Sequence, residues 1–268
     1  PSPDDRNKNW LASLLLQQHR TWFGRFTFHL QRLLNLGRGG RRRLERKAAV
    51  SLAGAALLLS LGIGAMRPPA VHAATITVDG TICNLVNAIT AANSDTATLG
   101  CAAGSGADTI DLQTDVTLMV ANNLSYLSST GLPVISTDIT IDGNDHIIAR
   151  DGGALNFRLL AVSSTGLLTI NDTTLTGGFS FNDGGAIFNN GGVVSLNGST
   201  VSGNSSYDSG GGIYSRDGTL TVVDSTFSGN HGSIGGGIYS ENSTLTVTDS
   251  VLSGNLTPAS GGGIYHDG

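Results

Sequence analysis

From Gly184 onward, short apolar stretches alternate with Gly, Asn, Asp and Ser, and the alternation itself repeats. Leu220-Thr221-Val222 and Leu245-Thr246-Val247 place apolar and polar residues at a period of two, with β-branched residues throughout. That is the pattern of a half-buried strand. Each unit carries three such stretches, as in residues 237–240, 244–248 and 251–253. No window keeps the i, i+3, i+4, i+7 spacing long enough for paired helices. The Leu-x-x-Leu-x-Leu frame of leucine-rich repeats is also absent.

The repeat has a fixed wording. Gly184-Gly185-Ala186-Ile187-Phe188 returns as Gly211-Gly212-Ile213-Tyr214, Gly236-Gly237-Ile238-Tyr239 and Gly262-Gly263-Ile264-Tyr265. The isoleucines lie 26, 25 and 26 residues apart, a period that signals a solenoid. A second phrase ends in Ser-Gly-Asn at Asn204, Asn230 and Asn255. Three strands and three turns per period make one coil of a parallel β-helix, whose strands stack at roughly 4.8 Å. Equivalent residues then form ladders: Ile187, Ile213, Ile238 and Ile264 inside, with Val201, Phe227 and Leu252 beside them. The three asparagines fall in register at a turn, where stacked amides bond along the axis. The expected fold is all-β, a right-handed parallel β-helix with a short N-terminal capping helix, its hand taken from the crossover rule.

The Gly-Gly-Ala-Ile of residues 184–187 and the Phe-Ser-Gly-Asn of residues 227–230 resemble the GGA[ILV] and FxxN tetrapeptides of the chlamydial polymorphic membrane protein repeat. The other copies are variants, with Gly for Ala and Val or Leu for Phe. The resemblance covers about the last third of the chain, implies a surface-exposed β-helix, and is silent on ligand.

Residues 1–40 read differently, with Trp10, Trp22, Phe23, Phe26, Phe28 and several arginines. They are taken as an extension outside the fold, upstream of a signal sequence; a basic amphipathic helix on a membrane is the alternative. Residues 41–73 carry the three parts of a secretory signal: Arg41-Arg42-Arg43 through Lys47, an apolar run over 48–65, and Val71-His72-Ala73 after a proline pair. The apolar run approaches the length of a membrane span, so a retained anchor competes with cleavage. The expected route is general secretion. The chain begins with Pro and ends inside a repeat, and it reads as a piece with a truncated β-helix at its C-terminus.

Residues 74–106 read as a cap, with a strand at 75–79 and a helix at 82–93 whose Ile82, Leu85, Val86 and Ile89 share a side. Solenoid ends need covering. Cys83 and Cys101 are the only cysteines; in an exported chain they suggest a disulfide, two buried thiols being the alternative. The run Cys83-Asn84-Leu85-Val86-Asn87-Ala88-Ile89, followed by Ala91-Ala92-Asn93 and Gly100-Cys101, resembles the CSLREA motif of exported bacterial β-helix proteins. Asn84, Val86 and Asn87 depart from that motif. The resemblance implies export and a surface location, with no established reaction. Residues 107–268 form the β-helix itself, with irregular early strands at 139–143, 146–148 and 159–162. Six or seven coils are expected, roughly 30 Å tall at the strand spacing.

Charge narrows the function. Twelve of the fifteen basic residues lie at or before Arg67, leaving Arg150, Arg158 and Arg216 against seventeen acids after Ala73, with no lysine. Such a surface excludes nucleic acid and disfavours anionic glycans. β-Helices also host polysaccharide lyases and hydrolases, which need clustered acids with an Arg or Lys base, or paired carboxylates. The best cluster is Asp142, Asp145, His146, Arg150 and Asp151, and Asp142-Gly143-Asn144-Asp145 reads as a plain turn. The residues after each aromatic change sign from coil to coil, which marks His266 as a surface residue. No catalytic, cofactor or metal site is assigned.

One patterned feature remains. Phe188, Tyr214, Tyr239 and Tyr265 each follow a ladder isoleucine, so strand alternation places them on the opposite face. They form either an exposed aromatic ladder that binds sugar rings or a partner surface, or rings that stack only to steady the coils. The functional expectation is a secreted or cell-surface, non-catalytic protein, adhesin-like or structural, with carbohydrate or a cell-surface protein as partner. A carbohydrate-active enzyme is the rival. Membrane contact is expected only through the signal segment or a C-terminal anchor beyond Gly268. N-terminal sequencing of secreted protein should begin after Ala73; a product that retains residues 48–65 would make it membrane-anchored.

Overall fold

The structure, a computed structural model, describes residues 73–124 and 128–268. The N-terminal extension and all of the signal segment before Ala73 lie outside the described residues. The rest is a parallel β-solenoid with one short helix. Seven strands stack in the first sheet, from Thr75–Val78 to Thr244–Thr248. The second sheet holds six, from Val116–Leu118 to Val251–Ser253. The third holds five, from Leu160–Val162 to Ile264–Asp267. With seven, six and five strands on the three faces, complete coils number about five, fewer than the six or seven expected. The third starts later, because residues 130–135 cross its first strand as bridges rather than as a strand of their own.

Register follows the repeat. Ile187, Ile213, Ile238 and Ile264 are successive partners, and the first three are fully buried. Val201, Phe227 and Leu252 stack in the second sheet. In the first sheet, inward columns run through Ile139, Leu168, Val194, Leu220 and Leu245. Alternation at a period of two sends these side chains to one interior, which is why each strand can be as short as three residues.

The asparagine turn supplies the polar counterpart. Asn204 Nδ2 donates to Asn230 Oδ1 at 3.1 Å, and Asn230 Nδ2 to Asn255 Oδ1 at 2.9 Å. The same Oδ1 atoms accept the backbone N–H of the asparagine one coil earlier, both at 3.1 Å. Each amide also reaches a strand carbonyl: Leu175, Val201 and Phe227 at 3.0, 2.8 and 2.9 Å. Asn204 and Asn230 are buried, and only a side chain that both donates and accepts satisfies such a position.

The glycines of the repeat have two separate causes. Gly184, Gly210, Gly235 and Gly261 hold φ near the left-handed region, at 66°, 65°, 63° and 71°. At the next position space decides: a Cβ on Gly185 would sit 2.2 Å from the Gly211 carbonyl, and one on Gly236 2.5 Å from the Leu256 carbonyl.

The cap departs from expectation at its start. The helix runs Leu85–Ser94, with Asn84 Oδ1 accepting the Asn87 N–H at 2.9 Å. Residues 81–83 are not helical, because Asp79 Oδ1 takes the N–H groups of Thr81, Ile82 and Cys83 at 2.9, 2.9 and 3.1 Å. Ile82 is therefore exposed, and the buried face is Leu85, Ala88, Ile89, Ala91 and Ala92. Cys83 and Cys101 are joined as a disulfide, with Cα atoms 4.7 Å apart.

Replacing Asn230 by Leu should cost about 1–3 kcal/mol, since it strands the Val201 carbonyl and the Asn204 amide inside the turn. Urea denaturation would measure it; an unchanged midpoint would show that the amide stack contributes nothing. Ile238→Asp, which buries a charge between coils, should be worse by several kcal/mol.

Candidate functional site

The outward column of the third sheet carries the four aromatics in register. Their ring centroids lie 5.5, 5.2 and 5.1 Å apart, with planes within 4°, 12° and 14° of parallel. Parallel pairing at the strand spacing forces this, because identical χ angles on stacked strands bring rings face to face. The rings are not uniformly exposed, so the column combines the two alternatives: a stacked, buried start and a partly open end. Phe188 and Tyr214 are buried, at 2% and 6%, and only Tyr239 and Tyr265 are partly open. The Arg158 guanidinium lies 4.5 Å from the Phe188 centroid and that of Arg216 5.7 Å. Ala161 occupies the preceding ladder position, and its small side chain leaves room for the buried Arg158 there.

The adjoining outward column is Asn190, Arg216, Glu241 and Asp267. Arg216 donates to Asn190 Oδ1 from Nε at 3.1 Å and from Nη2 at 2.8 Å. The Tyr214 hydroxyl donates to Glu241 Oε2. Burial first, and then this bond to a carboxylate, push the Tyr214 phenol far above its ordinary range. Burial also raises Tyr239, with the charges of Glu241 and Asp267 adding to it. Both phenols stay neutral, and neither is an activated base. Within the column each ring covers its neighbour's face, so the ladder offers edges and hydroxyls to a ligand.

Rings with open faces occur elsewhere, where the sequence reading missed them. Phe179 stands edge-on to Phe181 and to Tyr207, both at 5.4 Å, and holds the two side by side at 5.6 Å. Phe181 and Tyr207 are more than half exposed. They belong to two successive coils, each directly after a strand of the short sheet formed by Phe179–Ser180 and Ser205–Ser206. No third coil continues the pair, since Ser233 follows Tyr207. The only signal was this break in periodicity.

The acidic cluster does not assemble. Asp142 accepts from Asn171 Nδ2 at 2.6 Å, and His146 Nδ1 lies 3.0 Å from Asp115. Arg150 is spent on the carbonyls of Gly177, Asp151 and Ala154, at 2.7, 3.0 and 3.0 Å. Asn144 and Asp145 sit in the left-handed region, as a turn requires. Asp224 and Asp249 do the same at strand ends. His266 is exposed and meets Ser240 Oγ at 3.1 Å. Among the described residues, no group of three or more His, Cys, Asp or Glu could hold a metal ion.

With this geometry in place, comparison with known families adds one finding. Residues 198–216 and 224–241 match the model of the Chlamydia polymorphic membrane protein repeat. The two matched segments span the Ser-Gly-Asn turn, the glycine pair and the aromatic strand of two successive coils. No curated protein and no solved structure matches the chain.

Asp183 allows a test of the electrostatics beside the ladder. Burial raises its carboxyl above the usual range, and the nearby Asp208 adds to this; the Ser209 N–H at 3.0 Å and the charges of Arg158 and Arg216 oppose it. A raised carboxyl costs stability as pH climbs above about 4. Asp183→Asn should therefore gain stability relative to the parent as pH rises from below 4 to neutrality. Melting curves at the two ends would check it; an equal shift would show burial and the opposing contacts in balance, and an opposite one that those contacts outweigh burial.

Proposed function

We propose that this chain is a non-catalytic β-solenoid displayed on, or released from, the cell surface, where it acts as a stalk or adhesin. One observation carries the reading: the asparagine and serine columns that recur at the turns are engaged in joining coils. Asn204, Asn230 and Asn255 bond along the axis. Ser199, Ser225 and Ser250 do likewise, with Ser199 N donating to Ser225 Oγ and Ser225 N to Ser250 Oγ, both at 3.1 Å. A repeat whose conserved chemistry is cohesion serves length and presentation.

Three further points support it. The signal-like segment at 41–73 directs export, and the disulfide fits an oxidising compartment. The matched repeat is that of a membrane-protein family. The acidic, lysine-free exterior suits a soluble, self-repelling surface. Partners of the expected kinds, a carbohydrate or a cell-surface protein, would meet the edges and hydroxyls of Tyr239 and Tyr265 with Glu241 and Asp267 beside them.

The test has two arms. Antibody against the solenoid should label intact producing cells or their medium. Incubation with a panel of neutral and acidic polysaccharides should release neither reducing ends nor unsaturated products. Turnover of any member would replace this reading with a carbohydrate-active enzyme.

A further inference from the structure

The N-terminal ends of the three sheets are closed in different ways. The first sheet continues past Asp108–Leu112 to Thr75–Val78. On the third, the edge of Leu160–Val162 is bonded by the crossing segment, with Gly131 N to Arg158 O, Leu132 N to Leu159 O and Ile135 N to Ala161 O at 2.8, 3.1 and 2.9 Å. The second sheet ends on Val116–Leu118, which pairs only with Ile147–Arg150. Among the described residues nothing bonds its other side. The Leu118 carbonyl accepts from Asp151 N at 2.9 Å, so Val116 and Leu118 address the sheet, and alternation turns the N–H and C=O of Thr117 outward. Thr117 is exposed.

Beside this edge runs a groove of about 340 Å³, with Leu85 and Val86 of the helix on one wall and Thr117, Met119 and Val120 on the other. Met119 and Val120 also line a second hollow of about 530 Å³, which reaches Leu124, Leu155 and Phe181. Met119, Val120, Leu124 and Leu155 are all more than 60% exposed. An unpaired strand edge next to a continuous apolar groove is costly to leave in water, and natural proteins blunt or cover such edges.

The geometry points to a docking site at which an extended, apolar segment of a partner protein adds as a strand to the free edge of Val116–Leu118. Two observations fix the chemistry of the occupant. The outward amide and carbonyl of Thr117 call for a backbone in extended conformation, with alternate side chains filling the groove. Charge complementarity sets its flanks: three arginines against seventeen acids beyond Ala73 favour basic residues around the apolar core. The same charge repels a second copy of this chain. The site goes beyond the surface-display reading and does not depend on it.

Random peptides displayed on phage, selected on the full-length protein, test the proposal. Enriched sequences should alternate apolar and polar residues between Lys or Arg flanks. N-methylation of alternate backbone amides in the synthetic peptides should weaken binding about tenfold or more. Thr117→Pro, which removes the outward N–H, should do the same with an unchanged circular-dichroism melt. Should that variant misfold, Met119→Asp probes the groove without touching the backbone, with the same loss expected. Failure to enrich any peptide, or binding indifferent to N-methylation and to both variants, would overturn the site. A concentration-dependent dimer dissolved by Thr117→Pro would overturn the partner assignment by giving the edge to a second copy.

Discussion

The fold depends on the exact stacking of equivalent residues at the strand spacing, and the asparagine turn enforces it most tightly. A buried amide there must donate to the coil ahead, accept from the coil behind and reach a strand carbonyl at once. Sliding one coil by a residue would break these bonds and turn the isoleucine column outward. Hydrophobic burial already opposes such a shift, and the buried amides oppose it again through directional bonds that allow no partial slip. The side-chain hydrogen bonds and the apolar alternation thus select the register together, and the apolar interior supplies most of the driving force.

The same stacking explains what was legible in the sequence. Ile187, Ile213, Ile238 and Ile264 announced the interior because their period was constant. Asn204, Asn230 and Asn255 announced a turn for the same reason. The helix start was less legible: the three hydrogen bonds that Asp79 accepts are local geometry, and no periodicity reports them. The aromatic column was legible in position but not in exposure. Alternation correctly placed Phe188 opposite Ile187, yet its ring is packed by Arg158, which precedes the repeat, as well as by Arg216 and Tyr214.

Non-periodic features carry the opposite lesson. Stacking does not demand Met119 or Leu155, which do not recur, nor Phe181 and Tyr207, an aromatic pair one period apart that no third coil continues, and each is exposed. They were invisible to a reading built on repetition. Where the recurring apolar, asparagine and serine columns serve cohesion, departures from recurrence are where selection for something other than folding leaves its mark.

The glycine columns bear on how such a chain changes over time. At Gly185, Gly211 and Gly236 the carbonyl of a neighbouring coil stands where a methyl group would go, so point substitution is closed off at one site in each of these three coils. Copying a whole coil meets no such obstacle, because the new unit brings its own glycine and presents the same upper and lower surfaces. The molecule is therefore rigid towards small edits and permissive towards large ones. Its length is an adjustable quantity that duplication can tune without redesigning any contact.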